Sequence, residues 1–196
     1  MKQQVASLGS RGVAALVDGL IYVNLAVMLA ARVVEETEVA MVMDRLMTFL
    51  AMIIVVGPLV LPWFMAFLVS GMGGGIGKLI TGLEVVDEKG ERISYWRAFF
   101  RNQIGRAVSG LVFGAGYAYM FKDKERRGWH DHISGTYVVN RGNGNAVVGV
   151  FVALALVAVL GLMLRGIVIR VGENMPVYEE VVGEMRGEFE GAAKKI

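Results

Sequence analysis

Two charged residues near the start of the chain could carry chemistry, because they lie in and beside an apolar stretch. Asp18 falls inside the apolar segment 12–31, and Arg11 precedes it by two helical turns on the same face, about 10 Å away. Inserting a charged group at the centre of a membrane helix costs about 2.5–3.5 kcal/mol. Asp18 is therefore either an ion or proton site, or a hydrogen-bonded carboxylate that fixes helix packing. Asn24 lies six residues further on, on a different face.

A second set of candidate ligands is the run His130, Asp131 and His132. Adjacent residues cannot all converge on one metal from a regular helix, and the sequence offers no fourth ligand. We therefore predict no metal and no cofactor, and we retain Asp131 with Arg11, Asp18 and Asn24 as candidates for a buried polar or ion site. The sequence contains no arrangement of serine, histidine and carboxylate residues that indicates hydrolysis or group transfer, so no enzyme is expected.

The glycine-rich run 71–78 ends in Gly77 and Lys78 and superficially resembles a phosphate-binding loop. The spacing does not fit, because a P-loop requires glycine at Met72 and a hydroxyl at Leu79, and the dinucleotide pattern requires glycine at Ile76. We interpret the run as a sharp turn of the chain where it leaves the bilayer.

The composition indicates that these residues lie in an integral membrane protein. Of the 196 residues, 55% are hydrophobic and 19% are charged, and the mean hydropathy is +0.54. Such a chain is too apolar for an ordinary soluble domain or a disordered one. The net charge of +2 gives no reason to expect a nucleic-acid partner, and the absence of cysteine excludes disulfides, thiolate zinc sites and a cysteine nucleophile.

Three stretches, 12–31, 48–69 and 146–164, have the length and hydropathy of membrane spans. Lysine and arginine are concentrated in the stretches 71–103 and 122–145, which places both on the cytoplasmic side of the cell membrane together with the N-terminus. The segment 97–121, which contains the weaker apolar stretch 104–121, is then an interfacial helix followed by a re-entrant one that enters and leaves on the cytoplasmic face. Four full spans, with both termini inside, is the alternative.

The segments 83–87 and 91–95 read as a β-hairpin, with 136–140 as a third strand. The tail from about Pro176 predicts an amphipathic helix with an apolar stripe of Val177, Val181, Met185 and Phe189. It either packs on the loop 32–47 or self-associates. The predicted fold is thus an all-α membrane protein of three or four spans with a small cytoplasmic β-sheet and a C-terminal amphipathic helix.

Four motifs in this order resemble those of the RDD family of small membrane proteins. They are Arg11-x6-Asp18; Gly73-Gly74-Gly75-Ile76-Gly77-Lys78-x3-Gly82-Leu83-x-Val85-Val86-Asp87-x2-Gly90; Arg97-Ala98-x2-Arg101; and Asp123-x3-Arg127-x-Trp129-His130-Asp131-x3-Gly135-Thr136-x-Val138-Val139. The family often has Thr-Pro where this chain has Gly75-Ile76.

The resemblance covers about residues 7–141, so we divide the chain into an RDD-like domain (7–141), an additional transmembrane helix (142–165) and a soluble helical tail (166–196). The arginine and two aspartates of the family name correspond to Arg11, Asp18 and Asp131. The matching cytoplasmic motif residues are Gly77, Lys78, Gly82, Asp87, Arg101, Arg127, His130 and Thr136.

The resemblance implies a prokaryotic membrane protein, of a family for which transport, including cation–proton exchange, and regulation of partners have been suggested. Two functions follow: a non-enzymatic adaptor or regulator that docks a protein partner, or a small cation–proton exchanger in which Asp18 titrates. No internal repeat is visible, and three or four spans are few for alternating access in a monomer. The adaptor is therefore favoured. We expect the protein to lie in the lipid bilayer and to form a homo-oligomer. The exchanger, as the alternative, would bind a monovalent cation or a proton.

Overall fold

The structure is a computed structural model that describes residues 4–35, 39–111, 113–142 and 144–193. Its elements are the helices α1 (Leu8–Ala31), α2 (Val39–Ala51), α3 (Gly57–Met72), α4 (Ile76–Ile80), α5 (Tyr95–Phe100), α6 (Arg106–Leu111), α7 (Ala115–Ala118), α8 (Trp129–Ser134), α9 (Ala146–Glu173) and α10 (Met175–Ala193), and the strands β1 (Leu83–Val86) and β2 (Tyr137–Asn140). Two π-helical turns (Met52–Val56 and Arg101–Gly105) and a 3-10 turn (Tyr119–Phe121) complete them.

The chain packs as two compact units. The first comprises Met1–Ile21 and Gly57–Leu156, and the second comprises Tyr22–Val56 and Val157–Ile196. The candidate residues of the sequence lie in the first unit, with the exception of Asn24.

Three helical stretches are long and apolar enough to cross a membrane: Leu8–Ala31, Gly57–Ile80 and Ala146–Glu173. The second candidate span overlaps the predicted span 48–69 from Gly57 onward and continues to Ile80, and the predicted residues before Gly57 are also helical, in α2 and the π-helical turn. The third candidate span, α9, continues beyond its predicted end at residue 164 as far as Glu173, since no proline interrupts the helix before Asn174.

The sheet confirms the predicted pairing of two distant segments but not the predicted number of strands. Strands β1 and β2 are antiparallel, with Val85 opposite Val138, and form a two-stranded sheet. The expected strand 91–95 is wrong: it is reduced to a single bridge between Val86 and Arg92. The reason is Ser94, which caps α5 by accepting a hydrogen bond from the Arg97 N–H at 3.4 Å, so the chain turns into a helix. We call β1, β2 and the turn 87–92 the cap.

The core of the first unit joins the cap to the helices. Its fully buried members come from α1, α3 and both strands, and they include Ala14, Ala66, Val69, Leu83, Val85 and Val138. Small residues on the helices allow the strands to approach closely. The cap is therefore packed directly against the helices.

The segment 95–121 is a broken helix that buries several polar residues and exposes mostly apolar side chains, with Arg106 as an exposed charged residue. Arg101, Asn102 and Ser109 are buried, whereas Trp96 and Leu111 are exposed. The chain then reverses at Phe113 and Gly114, both in the left-handed backbone region. Together with the π-helical turn between them, α5 and α6 cover 95–111, which is at the lower limit of about 17 residues for a span, and the stretch is not among the three candidate spans.

In the second unit the tail folds back on the first loop. The Asn174 Nδ2 and Tyr178 Oη atoms donate to the Val34 carbonyl at 2.9 and 3.2 Å, and Arg170 forms an ion pair with Glu35. This packing agrees with the first of the two alternatives for the tail. In the predicted stripe, the side chains of Val181, Met185 and Phe189 lie outside the described residues.

Candidate functional site

A buried carboxylate, Asp131, lies at the centre of the candidate site. It occupies the first turn of α8, where its Oδ2 accepts the Gly128 N–H at 3.3 Å as part of a helix cap. Its side chain is 0% exposed. A bare carboxylate this deeply buried would be strongly destabilising, so its partners determine whether it can exist there.

Two arginines from distant parts of the chain compensate Asp131. The Arg101 Nη2 atom lies 2.5 Å from Oδ1, and the Arg11 Nη2 atom lies 2.6 Å from Oδ2. Arg101 comes from the π-helical turn after α5 and Arg11 from the first turns of α1. One carboxylate therefore ties three separate segments together.

The cap is attached to the same carboxylate through Thr136, the residue before β2. Its hydroxyl lies 3.3 Å from Asp131 Oδ1 and 3.1 Å from Arg101 Nε. Arg11 also donates to the Arg126 carbonyl at 2.5 Å. We call Arg11, Arg101, Asp131 and Thr136 the Asp131 network.

The network keeps Asp131 ionised. Burial alone would raise the pKa of this carboxyl, but the positive charges of Arg101 and Arg11 and the hydrogen bond from Arg11 outweigh burial and hold the pKa far below its ordinary range. A group in this state neither releases nor takes up protons at physiological pH. Its chemistry is that of a fixed negative charge.

Ser109 adjoins the network and was not singled out from the sequence. Its hydroxyl donates to the Gly105 carbonyl at 2.8 Å, accepts the His130 N–H at 3.0 Å, and lies 3.3 Å from His130 Nδ1. Serine, histidine and aspartate are thus neighbours, but the serine side chain is fully buried and its proton is engaged by a carbonyl. This geometry supports helix packing rather than nucleophilic attack. The only sequence signal for Ser109 is a polar residue inside an apolar stretch.

His130 is held neutral in this environment. Burial and repulsion by Arg101 lower its pKa from 6.5 to about 3. The neutral ring packs against Tyr117, with 5.2 Å between ring centroids. His130 therefore adds no charge to the Asp131 network at neutral pH.

Asp18 forms a second polar contact, between α1 and the first turn of α4. Its Oδ1 accepts the Gly77 N–H at 2.7 Å. Gly75 and Gly77 allow this approach, because a Cβ on Gly75 would lie 2.8 Å from Asp18 Oδ2 and one on Gly77 would overlap the Ala14 backbone. Asp18 and Arg11 have different partners, although they lie on the same face of α1.

Lys78 follows Gly77 in α4 and is half-buried. It is attracted electrostatically by Asp18 but repelled by Arg11, Arg101 and Arg106. Arg101 repels Lys78 and also binds Asp131. The Asp18 position and the Asp131 network are therefore electrostatically connected.

The remaining motif residues lie around this centre. Gly82, at a φ of +70°, packs so closely on Gly144 that a side chain there would overlap the backbone. Asp87 closes its own turn by accepting the N–H groups of Lys89 and Glu91, both at 2.9 Å.

Arg127 supports the cap from the side. It lies over the Tyr137 ring, 4.6 Å from its centroid, and forms ion pairs with Asp123 and Glu125. Asn24 belongs to the second unit, whereas the members of the Asp131 network belong to the first. Within the described ranges, the structure contains no group of three or more potential ligands arranged to hold a metal ion.

Comparison with known proteins assigns the chain to a family. The model of the RDD family matches residues 5–135, which is most of the chain, and the protein belongs to this family. One relative is the uncharacterized protein YxaI of Bacillus subtilis (strain 168), which is 41% identical over 70 residues. That match covers 36% of this chain and 45% of the relative, so it spans less than half of either protein. No solved structure matches the chain.

Proposed function

We propose that this RDD family membrane protein is a non-enzymatic adaptor or regulator, in which a cytoplasmic cap is held on the membrane helices and docks a protein partner. The observation that carries the proposal is the bonding of Asp131. Both of its oxygens are engaged by arginines, and Thr136 connects them to the cap. A carboxylate so bonded is suited to hold structure in place and is poorly suited to carry ions.

The proposed topology has 95–121 as a re-entrant hairpin that enters and leaves on the cytoplasmic side. Most of its exposed side chains are apolar, with Arg106 as the charged exception, and its buried side chains include the polar residues Arg101, Asn102 and Ser109, which favours a segment that contacts lipid. The pairing of β1 with β2 also supports it, because it requires both basic stretches, 71–103 and 122–145, to be on one side.

A polar cavity beside the cap is the proposed docking surface. It has a volume of about 270 Å³ and is lined by Val5, Asp87, Glu88, Lys89, Glu125, Tyr137 and Val139. Its lining combines three carboxylates and Lys89 with Val5, Tyr137 and Val139. This combination fits a partner segment that presents a basic side chain beside an apolar one.

A second candidate function, cation–proton exchange, is supported by Asp18. This carboxylate lies within a candidate span, is only half-buried, and accepts its described hydrogen bond on Oδ1 alone. Such a group could bind a cation or proton. Three candidate spans would then require an assembly of several copies.

Reconstitution into vesicles distinguishes the two functions. Under the adaptor proposal, neither a sodium nor a potassium gradient drives proton movement in vesicles that contain the parent protein. Asp18→Asn and Arg11→Gln then lower the yield of folded protein. Proton movement that depends on the cation gradient in the parent, and that Asp18→Asn abolishes, would reject the adaptor in favour of the exchanger.

The docking surface is tested in cells by a photo-crosslinking amino acid at Glu88. We expect one defined crosslinked product of higher mass, which disappears when Glu125→Lys reverses a charge of the cavity. The same crosslinker at Leu162, an exposed residue of α9, should not give this product. Identical products from both positions would contradict docking at the cap.

A further inference from the structure

The segment 4–6, which precedes α1, lies along β2. Val5 forms an antiparallel bridge with Val139. The Ala6 N–H donates to the Val138 carbonyl at 3.0 Å, and the carbonyl of the residue before Val5 accepts an N–H of β2 at 2.9 Å. Ala6 is buried in the same core as Val138. The sheet of the cap therefore continues beyond β2 into a short edge segment that is anchored in the core.

The outer edge of this segment carries unused backbone groups. Successive residues of an antiparallel strand direct their N–H and C=O groups to opposite sides. Because the residues before and after Val5 bond to β2, Val5 directs its own N–H and C=O away from β2. Neither group has a hydrogen bond within the described residues, and the adjoining Gln4 is exposed. At the opposite edge of the sheet, by contrast, the Val85 N–H of β1 donates to the Gly73 carbonyl at 2.7 Å.

The polar cavity beside the cap adjoins this edge. Val5 lines it together with Tyr137 and Val139, because residues that face each other across a bridge, or that lie two apart along a strand, share one face of the sheet. The three carboxylates of the lining outnumber its one cation, Lys89, so the cavity carries an excess of negative charge. Val5 thus belongs both to an unused strand edge and to the wall of an acidic cavity.

We propose that an extended segment of a protein partner pairs with the backbone of Val5 as an added strand and places a lysine or arginine side chain in the cavity. Strand addition at a sheet edge derives affinity from main-chain hydrogen bonds and specificity from pockets for alternate side chains. The excess of carboxylates selects a basic side chain for the pocket. This inference rests on the proposed docking function and specifies how the partner is recognised.

A synthetic peptide tests this mode of recognition on the purified full-length protein in a neutral detergent. The probe is a fluorescein-labelled peptide that alternates valine and lysine. One control peptide alternates valine and glutamate, and another has the sequence of the probe with every backbone N–H methylated, which blocks strand pairing but keeps the charge. Binding is measured by fluorescence anisotropy. We expect saturable binding of the probe alone. No saturable binding of the probe, or equal binding of the methylated peptide, would overturn the proposal.

Substitutions at Val5 separate the edge from the rest of the cap. Val5→Pro removes the outward N–H, and it leaves the two bonds that flank the bridge to β2, since proline is tolerated on a strand edge. The probe should bind about tenfold more weakly, because one hydrogen bond is lost, at an unchanged unfolding temperature. Val5→Ile keeps the N–H and should bind the probe like the parent. Equal binding by Val5→Pro and Val5→Ile would overturn strand addition.

Crosslinking in cells separates the failure of this inference from the failure of the proposed function. The crosslinker at Glu88 should give its defined product in the parent and in Val5→Ile, and much less of it in Val5→Pro. An undiminished product in Val5→Pro would overturn strand addition and leave docking at the cap standing. A product with the mass of two copies of this chain would overturn the assignment to a different protein. Absence of the product in the parent would reject docking in cells, and the peptide titration then decides strand addition by itself.

Discussion

The Arg101 guanidinium lies 2.5 Å from the Asp131 carboxylate, although thirty residues separate them in the sequence and both side chains are buried. Each group would be strongly destabilising alone in this environment, because removing a charge from water costs several kcal/mol. Together with Arg11, the pair connects α1, the turn after α5, and α8. Several predictions about stability depend on this connection.

Asp131→Asn should destabilise the protein severely, because it leaves Arg11 and Arg101 buried without a counter-charge. Removing one partner of a buried ion pair typically costs about 3–5 kcal/mol. We expect a large drop in the thermal unfolding temperature in detergent, measured by circular dichroism. Glu125→Gln is the control, since it breaks an ion pair with Arg127 in which the carboxylate is 47% exposed, worth about 1 kcal/mol. Similar effects of the two substitutions would contradict a central role for Asp131.

Gly77→Ala should destabilise the contact between α1 and α4. The added Cβ would overlap the Ala14 carbonyl, and this close approach is what places Asp18 Oδ1 against the Gly77 N–H. Overpacking of this kind costs about 1–3 kcal/mol.

Gly166→Ala in α9 is the matched control, because a Cβ there meets nothing within 4 Å. Alanine at an open helical position should instead stabilise by up to about 1 kcal/mol. The unfolding temperatures should therefore move in opposite directions. A shift of the same sign in both variants would argue against the close approach at Gly77.

His130 should make the protein less stable in acid. Its pKa in the folded state is about 3, against 6.5 ordinarily, so between these values the unfolded chain binds a proton that the folded protein does not. Stability should therefore decline as the pH falls from 6.5 toward 3, by up to about 1.4 kcal/mol per pH unit, with no such contribution above pH 6.5.

The measurement is the unfolding temperature of the parent and of His130→Gln between pH 7.5 and 4.5. The variant should show a shallower dependence on pH, whatever its stability at neutral pH. An unchanged slope in His130→Gln would show that His130 does not titrate differently in the two states.

The re-entrant hairpin predicts the accessibility of single cysteines, which can be introduced freely because the chain contains none. Cysteines at Glu88 and Lys124 should both react with a membrane-impermeant maleimide only when the cytoplasmic face is exposed, since both flank the paired strands. A cysteine at Asp44, beyond the first span, should react from the opposite face. Labelling of the Glu88→Cys and Lys124→Cys variants from opposite faces would refute the re-entrant topology.

The sequence by itself determined the membrane character, three long apolar helices and the strand character of 83–86 and 137–140. These follow from local pattern, because apolar length and the alternation of a strand are properties of neighbouring residues. The strand predicted at 91–95 does not form, because the helix cap at Ser94 favours a helix more strongly than the β-propensity of Ile93 favours a strand. Both signals are present in the sequence, and only packing decides between them.

Only the tertiary structure decided which charged residues meet. Spacing placed Arg11 and Asp18 on one face of α1, yet Arg11 binds Asp131 and Asp18 binds the Gly77 N–H. Each of these partners lies more than fifty residues away, so the way the chain folds back on itself decides which groups meet. The same folding buries Asp131, and this burial allows one carboxylate to bind two arginines. Helical periodicity describes one helix at a time, whereas the free energy of a buried charge depends on everything packed around it.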